Sequence, residues 1–461
     1  MRTQTQTDPN LRRELARIVG DNQVLAGPEA GPYTHDATIQ RGLSAKPDAV
    51  VRPADDQEIV AVLEWCYSHG VAIVPRGGGT GLAGGAVAVR GGVICSLERL
   101  NRVLGIEPQS WCMSVQAGVS TAHVKRVARE NGLIFPPDPG AAEQSQIGGN
   151  VATNAAGPHA FKYGPTGAWV TGVDAALAPG RLASFGGTLR KDVCGYDIRS
   201  LLVGSEGTLG IITAVGLRLA PAPQLALGLV AFLDGLDSGA RTVLELIGSG
   251  LQPAVLDFLD GTALAATGAT LPGPVPQGAG FALLIELDGD TGEVERQLAE
   301  LEEVLHSNGA LAVLRPDAAE LWRWRSTVNG AIAAQRGGKI SEDICVPVQH
   351  LARASAEIHQ IGANHGLPAC AWGHAGDGII HATFMVDLAS PEQLKAALRA
   401  AEQVFELALE LGGSVTGEHG IGWVKRGYME RQYGPGALDA HRRIKQALDP
   451  KGLLNPEKKD C

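Results

Sequence analysis

The sequence predicts an α+β chain of two or three domains, and three observations carry that reading. At 461 residues the chain is longer than one ordinary hydrophobic core. Its first half places short apolar runs directly against glycine-rich turns, with 61 glycines and 26 prolines in all. Its second half alternates strand-like runs at 227–232, 281–287 and 310–314 with helical ones, which predicts a sheet with helices on one side.

Taken in order, residues 9–19 have helical apolar spacing, and residues 32–50 read as extended. Asp55 and Asp56 can cap a helix with Ile59, Val62, Leu63 and Cys66 on its apolar face, stopped by His69-Gly70. The organising stretch follows: Val71-Ala-Ile-Val-Pro-Arg-Gly-Gly-Gly-Thr-Gly-Leu82. A strand runs into four glycines at 77, 78, 79 and 81, where no Cβ keeps a partner away. Such a loop can fold its N–H groups into a nest for phosphate oxygens, with Arg76 adding positive charge at its mouth. Gly79-Thr-Gly81-Leu-Ala-Gly84 also matches the dinucleotide fingerprint, with Glu98 near the expected acidic position. That pattern needs a helix after the glycines, and a crossover of at least ~10–12 residues. Residues 84–92 lead straight into the run 93–97, so the doubly wound reading fails.

Further along, 113–118 alternates as a strand and Ser120 caps a helix to about Asn131-Gly132. Phe135-Pro-Pro-Asp-Pro-Gly140 is a stiff extended loop. Ile147-Gly-Gly-Asn-Val-Ala-Thr-Asn-Ala-Ala-Gly157 and Gly204-Ser-Glu-Gly-Thr-Leu-Gly-Ile-Ile212 read as two more cradling loops. Residues 171–178 and 211–219 are strands, and Lys191-Asp-Val-Cys-Gly-Tyr-Asp197 opens a helix to Leu202. Ala220-Pro-Ala-Pro223 marks a domain boundary. Beyond it the clearest helix is 291–308, with Val294, Leu298, Leu301 and Leu305 on one face. The segment 444–456 is a helix stop followed by an extended tail.

A net charge of −10 argues against nucleic acid as a partner. Seven scattered cysteines without a Cys-x-x-Cys pair argue against a disulfide framework, a zinc ribbon or an iron–sulfur cluster. They read as reduced, mostly buried small residues. Met1-Arg-Thr-Gln-Thr-Gln-Thr-Asp8 has no apolar core for a signal peptide, and no stretch approaches the ~18 apolar residues of a membrane span, so a cytoplasmic chain is expected.

The second half concentrates unusual residues in Trp372-Gly-His374-Ala-Gly-Asp-Gly-Ile-Ile-His381 and Gly417-Glu418-His419-Gly420-Ile-Gly422. On one uninterrupted strand His374 and His381 would face opposite sides, and Gly376 and Gly378 argue against a helix. A turn through Ala-Gly-Asp-Gly leaves His374 on a loop and His381 on the next strand, where they can converge. Two imidazoles and a carboxylate are a common ligand set for zinc, manganese or iron(II) with open positions.

The three glycine motifs, in this order, resemble the FAD-binding domain of the vanillyl-alcohol-oxidase type of FAD-linked oxidases. The second half resembles the C-terminal domain of FAD-linked D-2-hydroxy acid dehydrogenases: D-lactate and D-2-hydroxyglutarate dehydrogenases and the glycolate oxidase flavoprotein subunit. The resemblance implies an N-terminal helical segment (1–44) and a two-subdomain FAD-binding domain (45–222). It further implies an α+β cap, or substrate, domain with an antiparallel sheet (225–440) and a tail (441–461) returning to the FAD domain. FAD would be held by Pro75, Arg76, Gly77, Gly78, Gly79, Thr80, Gly81, Leu82, Pro137, Asp138, Gly148, Gly149, Asn150, Ala152, Asn154, Gly157, Glu206, Gly210, Ile211 and Asn455. Covalent members often carry a histidine in the glycine loop. None stands at 76–82, so the FAD is expected to be noncovalent.

By the same resemblance His374, His381 and Glu418 would hold a divalent metal, zinc first, with manganese or iron(II) as alternatives. His419 would be the catalytic base, and Arg325 of Trp322-Arg-Trp-Arg325 would clamp the substrate carboxylate bidentately. Ser341-Glu-Asp-Ile-Cys-Val-Pro347 matches a family segment of less defined role, and Ile380 departs from a family asparagine. The implied reaction oxidises a D-2-hydroxy acid to the 2-oxo acid, with hydride passing to flavin. Electrons leave to an external acceptor: a quinone, a cytochrome, an electron-transfer flavoprotein or an iron–sulfur subunit. A dicarboxylate substrate needs a second cationic or hydroxyl partner, for which Lys339 is the nearest candidate. The alternatives are an oxygen-using alcohol or sugar oxidase and a non-catalytic flavin subunit, and a homodimer is open.

Overall fold

The computed structural model describes residues 10–459, so the residues at 1–9 and 460–461 lie outside it. The chain divides into two compact units. One comprises the residues up to Ala155, Pro165–Ala222 and those from His419 onward; the other comprises Ala156–Gly164 and Pro223–Glu418.

In the first unit Asp55 accepts hydrogen bonds from the N–H groups of Gln57 and Glu58, both at 3.0 Å, and starts the helix Asp56–His69. Ile59, Val62, Leu63 and Cys66 are fully buried, and Gly70 closes the helix in the left-handed region at φ 67°. The next strand, Ile73–Arg76, lies at the edge of a four-stranded sheet ordered Val24–Leu25, Ala49–Val51, Val93–Ser96, Ile73–Arg76. The first pair is antiparallel and the other two are parallel. Residues 77–92 join the last two strands without any helix, so the glycines serve a loop and not a crossover. A second sheet of this unit is antiparallel throughout, ordered Val103–Glu107, Cys112–Gln116, Ile211–Arg218, Val170–Leu177, Arg181–Gly186.

Three local expectations change. Residues 32–50 are not one extended run, because Gly27–Tyr33 and Ala37–Arg41 form 3-10 turns, the second capped by Asp36. The segment 147–157 is a helix over Ile147–Thr153, ended by Asn154 at φ 50°. The helix expected from Lys191 begins only at Ile198, capped by Asp197, because Gly195 sits at φ 86°.

The second unit is built on a seven-stranded antiparallel sheet. Its order is Ala312–Leu314, Leu225–Leu233, Phe281–Gly289, Val255–Asp260, Ala369–His374, Ile379–Val386, Gly338–Cys345. Helices cover both faces, not one. On one face Leu321, Trp324, Val328 and Ile332 of the helix Ala318–Ala334 pack against Val230, Phe232, Leu284 and Trp372. On the other, Gly239 of the helix Leu236–Gly248 presses so close to Phe281 that an added methyl would lie 2.3 Å from its ring. The reason is legible in the strands themselves: 281–288 and 379–386 are buried at every position, so neither face can be left to water. The helix Thr291–Ser307 buries Val294, Leu301 and Leu305, with Leu298 half-buried beside them.

The C-terminal tail closes the exposed edge of the first unit's sheet. Ile73 N–H donates to Leu453 O at 2.9 Å and Asn455 N–H donates to Ile73 O at 2.8 Å. Asp449 holds the turn before it, accepting from Tyr67 Oη at 3.0 Å, Lys445 Nζ at 2.6 Å and the N–H groups of Leu453 and Leu454 at 3.1 and 2.8 Å. Breaking a buried pair of this kind costs about 3–5 kcal/mol. Asp449→Ala is therefore expected to lower the stability of this unit by about 3 kcal/mol in denaturant unfolding. A loss below about 0.5 kcal/mol, ordinary for a surface change, would show that the tail does not depend on it.

Candidate active site

The glycine motifs, far apart in sequence, converge in the first unit. A methyl built on Gly78 would lie 2.0 Å from Gln144 O, and one on Gly77 would touch Gln146 and Gly149 at 3.5 and 3.7 Å. The Glu206-Gly207 turn packs on Pro75, and Asn455 Nδ2 donates to Gly85 O at 2.8 Å and Glu206 O at 2.7 Å. Gly148, Gly149, Asn150 and Ala152 lie in the short helix, Pro137 and Asp138 in the extended loop, and Gly210 and Ile211 at the start of a strand. Gly157 falls instead in the second unit.

Two residues of this set are placed differently from their expected use. Arg76 is buried under the loop and not at its mouth, donating to Ala86 O and Pro32 O at 3.4 Å, with its guanidinium directly beneath Gly79. Glu206 spends its carboxylate on the N–H groups of Ile421 and Gly422, at 3.0 and 2.7 Å, and on Lys459 Nζ at 3.0 Å. Three buried oxygens in these converging segments, Gln146 Oε1, Ser205 Oγ and Asn455 Oδ1, have no hydrogen-bond partner among the described residues. Together with the bare glycine backbone they fit a ligand that carries both hydrogen-bond donors and acceptors, as FAD does.

The second unit gathers the acid–histidine cluster through strand register. Asp257 pairs with His374 across one strand boundary, and His381 lies between Trp372 and Asp343 across two others. Alternation then puts all five side chains on the face that carries the helix Ala318–Ala334. His374 is the last residue of its strand and not part of the loop; His381 is on the next strand, as expected.

Asp257 is fully buried. It accepts from His374 Nδ1 at 2.6 Å through one oxygen, and from Arg325 Nε at 2.8 Å and Nη2 at 2.6 Å through the other. Burial works to raise its carboxyl pKa, but the facing His374 and Arg325 outweigh burial and hold it below the ordinary value. Burial likewise opposes charging of His374, yet Asp257 and Glu418 carry that imidazole well above its ordinary pKa. Burial pushes Asp377, in the turn between the histidines, up to about 6, with His374 opposing and Asp257 and Glu418 adding.

With Nδ1 committed to Asp257, His374 turns Nε2 toward Glu418 Oε1 at 3.7 Å, and His381 Nε2 lies 3.5 Å from the same oxygen. Ligand atoms of these three residues all lie within 4.8 Å of one another. Two tetrahedral ligands about 2.1 Å from a zinc ion stand about 3.4 Å apart, close to the spacing of Glu418 Oε1 from each imidazole, so the trio fits a metal site. Glu418 is placed by a second buried aspartate. Asp343 Oδ2 accepts from the N–H groups of Gly417 and Glu418, both at 2.7 Å, and from Thr416 Oγ1 at 2.9 Å. Arg325 also stacks on Trp372, 4.9 Å from the ring centre, whereas Arg323 beside it is exposed.

Asp257 was missed in the sequence, and Asp343 lay in a segment without an assigned role. The available signal was an acidic residue inside an otherwise apolar strand run, Val-Leu-Asp-Phe-Leu in the first case, where an unpaired charge is expensive.

Comparison with known proteins places this geometry in a family. Residues 223–459 match the family described as FAD linked oxidases, C-terminal domain, and residues 47–186 match the FAD binding domain. The chain is 37% identical over 430 residues to the glycolate oxidase subunit GlcD of Bacillus subtilis, covering 92% of this chain and 91% of that one. It is 33% identical to a D-lactate dehydrogenase of Anaerostipes hadrus, covering 96% of each chain. It is 32% identical to the D-2-hydroxyglutarate dehydrogenase of Stutzerimonas stutzeri, covering 98% and 99%. Among solved structures, p-cresol methylhydroxylase with substrate bound superposes with a TM-score of 0.79 at 18% identity, over 97% of this chain and 96% of that one. 4-Ethylphenol oxidase from Gulosibacter chungangensis gives 0.79 at 20% identity, over 98% and 96%. These two likenesses establish the vanillyl-alcohol-oxidase type of fold. The curated relatives go further: the chain belongs to the FAD-linked oxidases, in the family of the D-lactate, glycolate and D-2-hydroxyglutarate dehydrogenases, and is an FAD-linked oxidoreductase.

Proposed function

We propose that this enzyme oxidises a D-2-hydroxy acid to its 2-oxo acid with the help of a divalent metal held by His374, His381 and Glu418. The observation that carries the reading is the double use of Asp257. It fixes the His374 tautomer so that Nε2 faces the other two ligands, and it occupies the Nε–Nη2 edge of Arg325. The Nη1–Nη2 edge of that arginine remains for a carboxylate, so the bidentate clamp is end-on.

A bound FAD would supply the hydride acceptor, and a divalent metal at His374, His381 and Glu418 would supply Lewis acidity toward the substrate hydroxyl. His419, next in the chain to Glu418, takes the hydroxyl proton, and Arg325 orients the carboxylate. With no histidine at 76–82, the FAD is held without a covalent bond. With no Cys-x-x-Cys pair, the electrons pass to an external acceptor. An oxygen-using alcohol oxidase has no need of a histidine–histidine–glutamate trio, which favours the hydroxy acid.

A further observation bears on substrate class. Lys339 is buried, its ammonium lies 5.5 Å from the Trp372 ring, and among the described residues no hydrogen bond or ion pair satisfies it. Burial lowers its pKa to about 8. A dicarboxylate such as D-2-hydroxyglutarate would use this second cation, whereas lactate or glycolate would not need it.

Anaerobic addition of D- and L-2-hydroxy acids to the purified flavoprotein tests the proposal. The flavin is expected to bleach with a D-acid only, to stop bleaching after chelation and to recover with zinc or manganese. Bleaching indifferent to the chelator would remove the metal from the reaction. For Lys339 the sign follows from its depressed pKa: the cation is present below about pH 8 and lost above it. KM for a dicarboxylic substrate should therefore rise through pH 8, and Lys339→Met should give a high, pH-independent KM. A KM that is flat across pH 8 in the wild type would place Lys339 off the substrate.

A further inference from the structure

Residues 156–164 belong to the second unit although the chain on either side belongs to the first. Within nine residues four side chains engage that unit. His159 Nε2 donates to Glu286 Oε1 at 3.1 Å. Lys162 Nζ donates to Asp288 O and Oδ1, both at 2.6 Å, and Tyr163 Oη donates to Asp288 Oδ2 at 2.7 Å. Phe161 lies flat against Gly376, where an added methyl would fall 2.5 Å from its Cδ2.

Both anchoring acids stand on the strand Phe281–Gly289 and alternate with Leu284 onto the face that carries the helix Ala318–Ala334. Glu286 also accepts from Trp322 Nε1 of that helix, one turn before Arg325. The same short segment thus touches the turn between His374 and His381 and, through Glu286, the helix that presents Arg325.

Backbone bonds tie that turn at its ends, Gly376 N–H donating to Leu256 O at 3.1 Å and Val346 N–H to Gly378 O at 2.9 Å, but its own side chains give it little packing. Residues 375–378 are Ala-Gly-Asp-Gly, with Gly378 at φ 70°, and the only apolar side chain among them is a methyl group. A glycine-rich turn fluctuates unless something packs on it. A displacement of about 1 Å at either end would spoil a ligand set. We infer that residues 156–164 are a positioning strap for this site, in which Phe161 sets the turn that spaces His374 from His381. The role in metal binding rests on the metal reading proposed above; the role in holding the turn does not.

The test is Phe161→Ala in the full-length flavoprotein, with Phe161→Leu as the conservative replacement. Amide hydrogen exchange across 375–378 is expected to speed up about tenfold or more in the alanine variant. Zinc affinity should fall about 10–100-fold, as for other supports of metal ligands. FAD content and circular dichroism should be unchanged, and leucine should restore most of both losses. A folded Phe161→Ala protein with wild-type exchange and wild-type zinc affinity would overturn the strap. If the wild type binds no zinc, the metal reading fails, and the exchange rates alone decide whether the strap holds the turn. If the alanine variant does not fold, Tyr163→Phe removes one hydrogen bond to Asp288 and should move exchange in the same direction by less. No change there would count against the proposal.

Discussion

One buried carboxylate conditions the rest of the second unit. Asp257 sits at 0% exposure among apolar strand neighbours, where an isolated charge would cost several kcal/mol. It is tolerable only because His374 and Arg325 both reach it, one from the adjacent strand and one from the helix above the sheet. The register of two strands and the seating of a helix are therefore tied to the same atom pair that aims an imidazole and a guanidinium. An apolar trio of similar volume could pack as stably, but it could present neither group.

The same device recurs one strand pair away. Asp343 gathers the N–H groups of Gly417 and Glu418, so Glu418 is held through its backbone. Gly417 adds steric definition, since a methyl there would lie 2.7 Å from Ile379. Each residue of the proposed trio thus has a support: Asp257 for His374, Trp372 for His381, with tilted rings 4.5 Å apart, and Asp343 for Glu418. The first unit works by an opposite logic. Its cradle has few committed side chains and much bare glycine backbone, with Arg76 buried beneath the loop as a strut.

What was legible in the sequence was what local physics decides. Asp55 and Gly70 bracket a helix because capping and left-handed backbone are properties of a few adjacent residues. The missing room for a crossover helix after Gly84 was equally local, and it excluded the wrong nucleotide fold. His374, His381 and Glu418 stood out because two histidines around an Ala-Gly-Asp-Gly turn and a Glu-His pair between glycines are unusual in one chain half. What was not legible depends on register and distance. Asp257 and Asp343 acquire their roles only when strands pair, and a one-residue slip would turn them to the other face. The assignment of 156–164 to the second unit rests on contacts more than 120 residues away, such as Lys162 with Asp288. The helices on both faces of the sheet could have been anticipated from its continuous apolar strands, which alternation alone concealed.

Metal analysis of the purified flavoprotein decides whether His374, His381 and Glu418 hold an ion. About one divalent ion per chain is expected at the three-residue site, absent from His381→Ala and Glu418→Gln. In Asp257→Asn it should be held about 10–100-fold more weakly, with FAD retained throughout. A metal-free protein whose flavin a D-2-hydroxy acid still reduces at full rate would contradict metal-assisted oxidation.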